Sequence, residues 1–267
     1  MNEVINCTRA FFIRDAQNTL SYRFDFLYSQ VASVARTLAL WLPAQLVGDN
    51  PLFKSHGGFL AYSVTGSAMM GLFMASYGGF ASAISSERGV GTLEAVFATR
   101  APLGALLMGG SSWALVRSLF DVALNLTAGM LLFGIEWRGS VLGLMLVVLL
   151  TNLTFVAFGF LSAAFTIVYK RGDPFRLFVG AASALFGGVF FPVEVLPKMI
   201  SWVGELLPIT HGARALRGIA LEGHSVSAHW FELVVLAGFS CVLLPFGWWT
   251  FYKAVSLAKQ DGTLFHY

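Results

Sequence analysis

Long apolar runs constrain this chain more than any other feature. The run "VLGLMLVVLLTNLTFVAFGFLSAAFTIVY", Val141–Tyr169, holds no charged residue. A helix needs about 20 mostly apolar residues to cross a bilayer. Inside hydrocarbon its backbone groups must bond within the segment. Six such stretches are expected: Phe24–Val47, Phe59–Ser85, Leu103–Phe133, Val141–Tyr169, Leu177–Phe191 and Phe231–Tyr252. The fifth is short and runs into "FFPVEVLPKMISW", where two prolines and Glu194 interrupt a still-apolar stretch. The pattern predicts an all-α polytopic membrane protein with six transmembrane helices. Composition agrees: 57% of residues are hydrophobic and 12% charged, against about 25% charged in soluble domains.

The basic residues set the expected orientation. Arg9, Arg14, Arg23, Arg88, Arg100, Lys170, Arg171, Arg176, Lys253 and Lys259 fall on one side of the six-span layout. Lys54, Arg138, Lys198, Arg214 and Arg217 fall on the other. Cytoplasmic loops carry the excess of Lys and Arg, so both termini are expected in the cytoplasm. Trp248, Trp249 and Tyr252 would anchor the last span at its inner end. The net charge of +3 does not point to nucleic acid, because the basic residues are scattered and form no stripe. Cys7 and Cys241 are far apart and make neither a disulfide framework nor a metal motif. The first residues lack the pattern of a cleaved signal. Val4, Phe11, Phe12, Ala16 and Leu20 recur at near-helical spacing among Arg9, Arg14, Asp15 and Gln17. Residues 1–23 therefore read as an amphipathic helix, lying along the inner leaflet or packed on the protein's own cytoplasmic face. Residues 24–267 would form the six-span domain.

Between the second and third runs lies a polar interruption, "SERGVGTLEAVFATRAP", residues 86–102. Thr92 can cap a short helix there. Glu94 in its first turn and Arg100 in its last complement the helix dipole, and Pro102 ends it. Leu93, Val96, Phe97 and Arg100 share one face. A helix this short cannot cross a bilayer, at 1.5 Å rise per residue. Its apolar ridge must be covered, either by the ends of its own spans or by a cytosolic partner.

Two stretches carry a resemblance. "ERGVGTLEAVFATRAP" after the second span, and "GGVFFPVEVLPKMISWVGELLPITHGARALRGI" after the fifth, resemble the membrane subunit of ABC-2 type transporters. The resemblance covers nearly the whole chain. It implies a coupling helix at 86–102 seated in a cleft of a nucleotide-binding subunit, carried over to Glu87, Arg88, Gly91, Thr92, Leu93 and Glu94. It also implies an N-terminal helix touching the ATPase, and an outer re-entrant hairpin before the last span, within 192–230. It further implies a homodimer served by two cytosolic ATPase copies, with ATP and Mg held there and no cofactor on this chain. Family members are mostly exporters, with relatives handling drugs, lipids and lipid-linked polysaccharides.

The chain has no G-x-x-x-x-G-K-[ST] loop. ATP hydrolysis is therefore expected on a separate subunit, which needs a docking surface such as residues 86–102.

Ionisable residues at span depth are costly and mark functional candidates. Arg117, Asp121 and Asn125 follow one another at helical spacing in the third run, and Arg36 lies in the first. Asp121 is expected to neutralise Arg117, Arg36 or both. The group either fixes helix register or lines a route for a substrate headgroup. Gly180, Ala184 and Gly188 recur every four residues as a small-residue seam, either at the dimer contact or within one bundle. Glu194, next to Pro192, is the candidate for an outer gate. His224 and His229 fit no metal motif, and no catalytic residue or metal site is expected.

The reading is a transport subunit of the cytoplasmic (inner) membrane that moves an amphipathic substrate outward. One rival is a secondary transporter or channel, which would show internal repeats. The other is an intramembrane lipid- or glycan-modifying enzyme, which would need a nucleophile or metal constellation. Phe outnumbers Tyr by 25 to 7, which suits acyl chains slightly better than bare sugars.

Overall fold

The computed structural model describes residues 2–48, 50–90, 103–169 and 174–260. Among them the chain is helical and contains no strand. The longer elements are α1 (Asn2–Ser21), α2 (Arg23–Ala39), α3 (Trp41–Val47), α4 (Phe59–Val90) and α5 (Leu103–Phe133). They continue as α6 (Val141–Tyr169), α7 (Pro174–Phe186), α8 (Lys198–Glu205), α9 (Pro208–Ala220) and α10 (Trp230–Gln260).

Among the described residues four helical stretches are long and apolar enough to cross a membrane: Phe59–Phe80, Ser112–Phe133, Val141–Tyr169 and Val226–Leu257. The segments expected as the first and fifth spans differ from these. Residues 24–47 are divided at Leu40 into α2 and α3. Pro43 lacks the N–H that would bond the Ala39 carbonyl, which weakens the helix at that turn. The fifth segment stops at Phe186, because Gly188 takes a left-handed φ of 66° that a helix cannot accommodate. Residues 193–229 then form short helices, with α9 packed on α4, α6 and α10.

α6 is the central helix, with α4 on one side and α10 on the other. One core joins Met69, Leu72, Phe73 and Tyr77 of α4 to Val147 and Phe155 of α6 and to Ile209, Leu216 and Ile219 of α9. A second joins Phe80, Phe160, Ile167 and Phe251. Buried hydroxyls and amides bridge the helices: Asn152 donates to Ser76 (3.1 Å), and Thr154 meets Ser240 (2.8 Å). Such bonds replace water partners that hydrocarbon cannot supply.

The N-terminal helix packs on the protein itself. Thr8 and Phe11 sit against Gly109 of α5 so closely that a Cβ there would come 2.8 Å from the Thr8 carbonyl oxygen. Trp113 packs edge-on against Phe12 and donates to Thr19 (2.8 Å). α1 thus lies at the end of the bundle where α5 begins; the opposite, far end holds residues 51–60, 133–141 and 187–229.

Candidate functional site

Two polar assemblies stand out, one at the far end and one at mid-depth. The far-end assembly is built on Arg217 of α9, which is only 4% exposed. Its Nε donates to Thr65 Oγ1 (3.1 Å) and its Nη1 to the Gly188 carbonyl (2.8 Å). Its Nη2 donates to the carbonyls of Tyr62 (3.1 Å) and Val189 (2.9 Å). The guanidinium lies 3.4 Å from the centre of the Tyr62 ring, and the Tyr62 hydroxyl also donates to Gly188 O (2.8 Å). Burial lowers the Arg217 pKa to about 10, so the group stays cationic at neutral pH. It thus joins α9 to α4 and to the chain leaving α7, where carbonyls at a helix end favour a cation.

Beside it Arg214 makes a two-pronged contact to Glu205 (3.2 and 2.7 Å) and lies 3.6 Å from Glu194. The hydrogen bond from Arg214 holds the Glu205 carboxyl below its ordinary value, against the opposing effect of burial. Glu194 sits in a short 3₁₀ turn, Val193–Val195, with its side chain 70% exposed.

The second assembly lies between α2, α4 and α5. Asn125 donates from Nδ2 to Ser33 Oγ (3.0 Å) and to the Asp121 backbone carbonyl (2.7 Å). Its Oδ1 accepts from Thr37 (2.6 Å). Arg117 donates to Ser29 Oγ (2.7 Å) and lies 5.9 Å from the centre of the Phe26 ring. Next to these bonds is a cavity of about 480 Å³, lined among others by Ser33, Arg36, Ser67, Gly71, Asp121 and Asn125.

This arrangement corrects one expectation. Asp121 forms no ion pair with Arg117 or Arg36 among the described residues. Arg117 instead turns to α2, where the Ser29 hydroxyl accepts its hydrogen bond and the Phe26 ring lies near it. Asp121 Oδ1 is buried without a hydrogen-bond partner. Arg36, Asp121 and Asn125 are brought to one cavity, and Arg117 is not among its lining residues.

Other expected residues are placed as follows. Gly180 meets α4, where a Cβ would come 2.8 Å from Met74 Cε; this is packing inside the chain. Ala184 is half-buried, and Gly188 lies beyond the end of α7 with its carbonyl committed to Tyr62 and Arg217. Glu87 and Arg88 belong to the last turn of α4, and their side chains are not described. Gly91, Thr92, Leu93, Glu94, Phe97 and Arg100 lie outside the described residues. Among the described residues no group of His, Cys, Asp and Glu is placed to hold a metal.

Sequence reasoning placed Arg217 with the loop cations and missed its role. A signal was present: in "HGARALRGIA" small and apolar residues surround it, which is poor company for a solvated cation.

A bundle with four membrane-length helices among the described residues and charged side chains at depth defines a polytopic membrane protein. Residues 5–221 match the ABC-2 type transporter family, and the chain belongs to that family. It is 29% identical to nodulation protein J of Neorhizobium galegae over 197 residues, covering 72% of this chain and 71% of that one. It is 27% identical to nodulation protein J of Rhizobium leguminosarum bv. trifolii over 173 residues, covering 64% of each. ABC transporter G family member 20 of Dictyostelium discoideum is 23% identical over 251 residues, covering 93% of this chain but only 33% of that relative. The chain is thus the membrane component of an ABC-2 type transporter.

Proposed function

We propose that this chain is the permease subunit of an ATP-driven exporter that carries an amphipathic substrate outward across the cytoplasmic membrane. The observation that carries the reading is the family match over residues 5–221, which runs through the polar interruption at 86–102. In this reading six segments span, with α2/α3 and α7 completing the four long helices, and both termini are cytoplasmic. Two copies of the chain pair with two cytosolic ATPases that hold ATP and Mg. The 86–102 segment, with Glu87, Arg88, Gly91, Thr92, Leu93, Glu94, Phe97 and Arg100, docks the ATPase. Glu194, exposed beside Arg214, faces the outer exit. Closure of the ATPases pushes on the docking segment and rocks the subunits apart along their contact.

The experiment is co-expression with a candidate ABC ATPase from the same organism, followed by co-purification and ATP-dependent transport in inverted vesicles. Leu93→Asp and Glu94→Lys should leave folded permease in the membrane but lose ATPase co-purification or ATP-dependent transport. Activity of the purified chain without any ATPase would overturn the reading.

A further inference from the structure

The mid-depth cavity holds a carboxylate and a guanidinium that have not closed on each other. Arg36 reaches it from α2 and Asp121 from α5, and both line its wall. Arg36 is otherwise exposed on α2, an unpaired charge at span depth is costly, and so is a buried polar atom without a partner. Asp121 Oδ1 is such an atom. Its neighbours cannot relieve it. Asn125 spends both its amide and its carbonyl on Ser33, Thr37 and the Asp121 backbone, and Arg117 is turned to Ser29. The remaining wall is apolar and adaptable, with Met70, Met74 and Phe190. The volume of about 480 Å³ lies in the range of small-molecule sites.

We propose that this cavity binds the zwitterionic headgroup of a single- or double-chain amphiphile. The ammonium donates to the Asp121 carboxylate, and the phosphate accepts from the Arg36 guanidinium. The methionine-lined wall takes the start of the acyl chain. The proposal takes from the exporter reading only that the ligand is cargo. It adds the headgroup chemistry and assigns each charge a partner.

The test measures equilibrium binding to the purified full-length chain in a nonionic detergent, without ATPase or ATP. Four probes are compared: lysophosphatidylethanolamine, lysophosphatidylglycerol, monoacylglycerol and soluble phosphoethanolamine. The zwitterionic lysolipid should bind about tenfold or more tighter than each of the others, as expected for charge-assisted hydrogen bonds. Asp121→Asn should erase its advantage over lysophosphatidylglycerol. Arg36→Gln should erase the advantage of both phospholipids over monoacylglycerol.

Gly71 supplies the control for misfolding. A Cβ there meets nothing within 4 Å, so Gly71→Leu can leave the backbone unhindered and occupy part of the cavity. It should abolish binding while leaving the melting temperature unchanged. Equal affinity for the two lysophospholipids and monoacylglycerol, or wild-type selectivity in Asp121→Asn and Gly71→Leu, would overturn the proposal. So would a Gly71→Leu variant that changes oligomeric state but still binds the lysolipid, because the cavity would then be a seat for a second copy. Phosphoethanolamine binding as tightly as the lysolipid would overturn the amphiphile assignment. Because no ATPase is present, failure here leaves the exporter reading standing, and loss of ATPase docking leaves this result standing.

Discussion

The far end and the mid-depth cleft contain the same kinds of side chain and treat them in opposite ways. At the far end the two arginines are engaged: Arg217 with four oxygens and a ring, Arg214 with Glu205 and Glu194. In the cleft Arg36 and Asp121 face a common cavity unbridged. The first pattern is that of charge used to hold a fold, since a buried cation survives only with its acceptors in place. The second is that of charge reserved for a visitor. Depth alone therefore does not distinguish structural from functional charge in this protein; the state of the partners does.

The contrast breaks if stability and binding do not separate along it. Arg217→Leu should cause the largest loss. It removes four hydrogen bonds and strands the Val189 carbonyl, while Gly188 keeps the Tyr62 hydroxyl and Tyr62 keeps Thr65; an unmet buried acceptor costs about 1–3 kcal/mol and each lost bond about 1 kcal/mol more. A fall in stability of about 3 kcal/mol or more is expected, read as lost assembly or a much lower melting temperature in detergent. Arg217→Lys should recover little, because a point charge cannot reproduce the planar fork.

Gly66→Ala tests the same region through space rather than charge. A Cβ there would strike the Val189 carbonyl and come 2.7 Å from Arg217 Nη2. Overpacking of this kind costs about 1–3 kcal/mol, which thermal unfolding would register. An unchanged melting temperature would show that the far end is looser than its hydrogen bonds imply.

In the cleft the same measurement should move little. Asp121→Asn breaks no ion pair, and Arg117→Leu loses one side-chain hydrogen bond, to Ser29. Each should shift stability by about 1 kcal/mol or less. A loss as large as that of Arg217→Leu would return these residues to a purely structural role.

The smallest effect is expected with pH. Glu205 has a folded pKa below its ordinary 4.5, caused first by the hydrogen bond from Arg214. Its contribution is fully present above the unfolded value and is lost as pH falls through the folded one. Acidification below pH 4.5 should loosen α8 against α9, seen as faster amide exchange there, and Arg214→Ala should remove the dependence. Both side chains are partly exposed, so the change should stay under about 1 kcal/mol.

Much of the bundle is legible in the sequence, because α4, α5, α6 and α10 are continuous apolar runs and hydrocarbon leaves a backbone no choice but helix. The interrupted first segment is harder to read. Its break rests on Pro43, and α2 has a polar face of Ser29, Ser33 and Thr37 that becomes intelligible only against Arg117 and Asn125. The cleft residues could be singled out as ionisable groups at depth. Their pairing could not, because spacing along one helix says nothing of which neighbour each side chain meets. Arg217 shows the converse: a cation read as solvated is enclosed by carbonyls from segments 28 and 155 positions away.

The sequence by itself thus determined a membrane-embedded helical chain with charges at depth and a polar break after its second apolar run. Those properties follow from local composition and the cost of an unbonded backbone in lipid. Only the tertiary structure decided which charges are satisfied. That outcome depends on distances between helices, and at Arg217 and Asp121 it differs because one meets the open carbonyl end of α7 and the other has a buried oxygen that meets no donor.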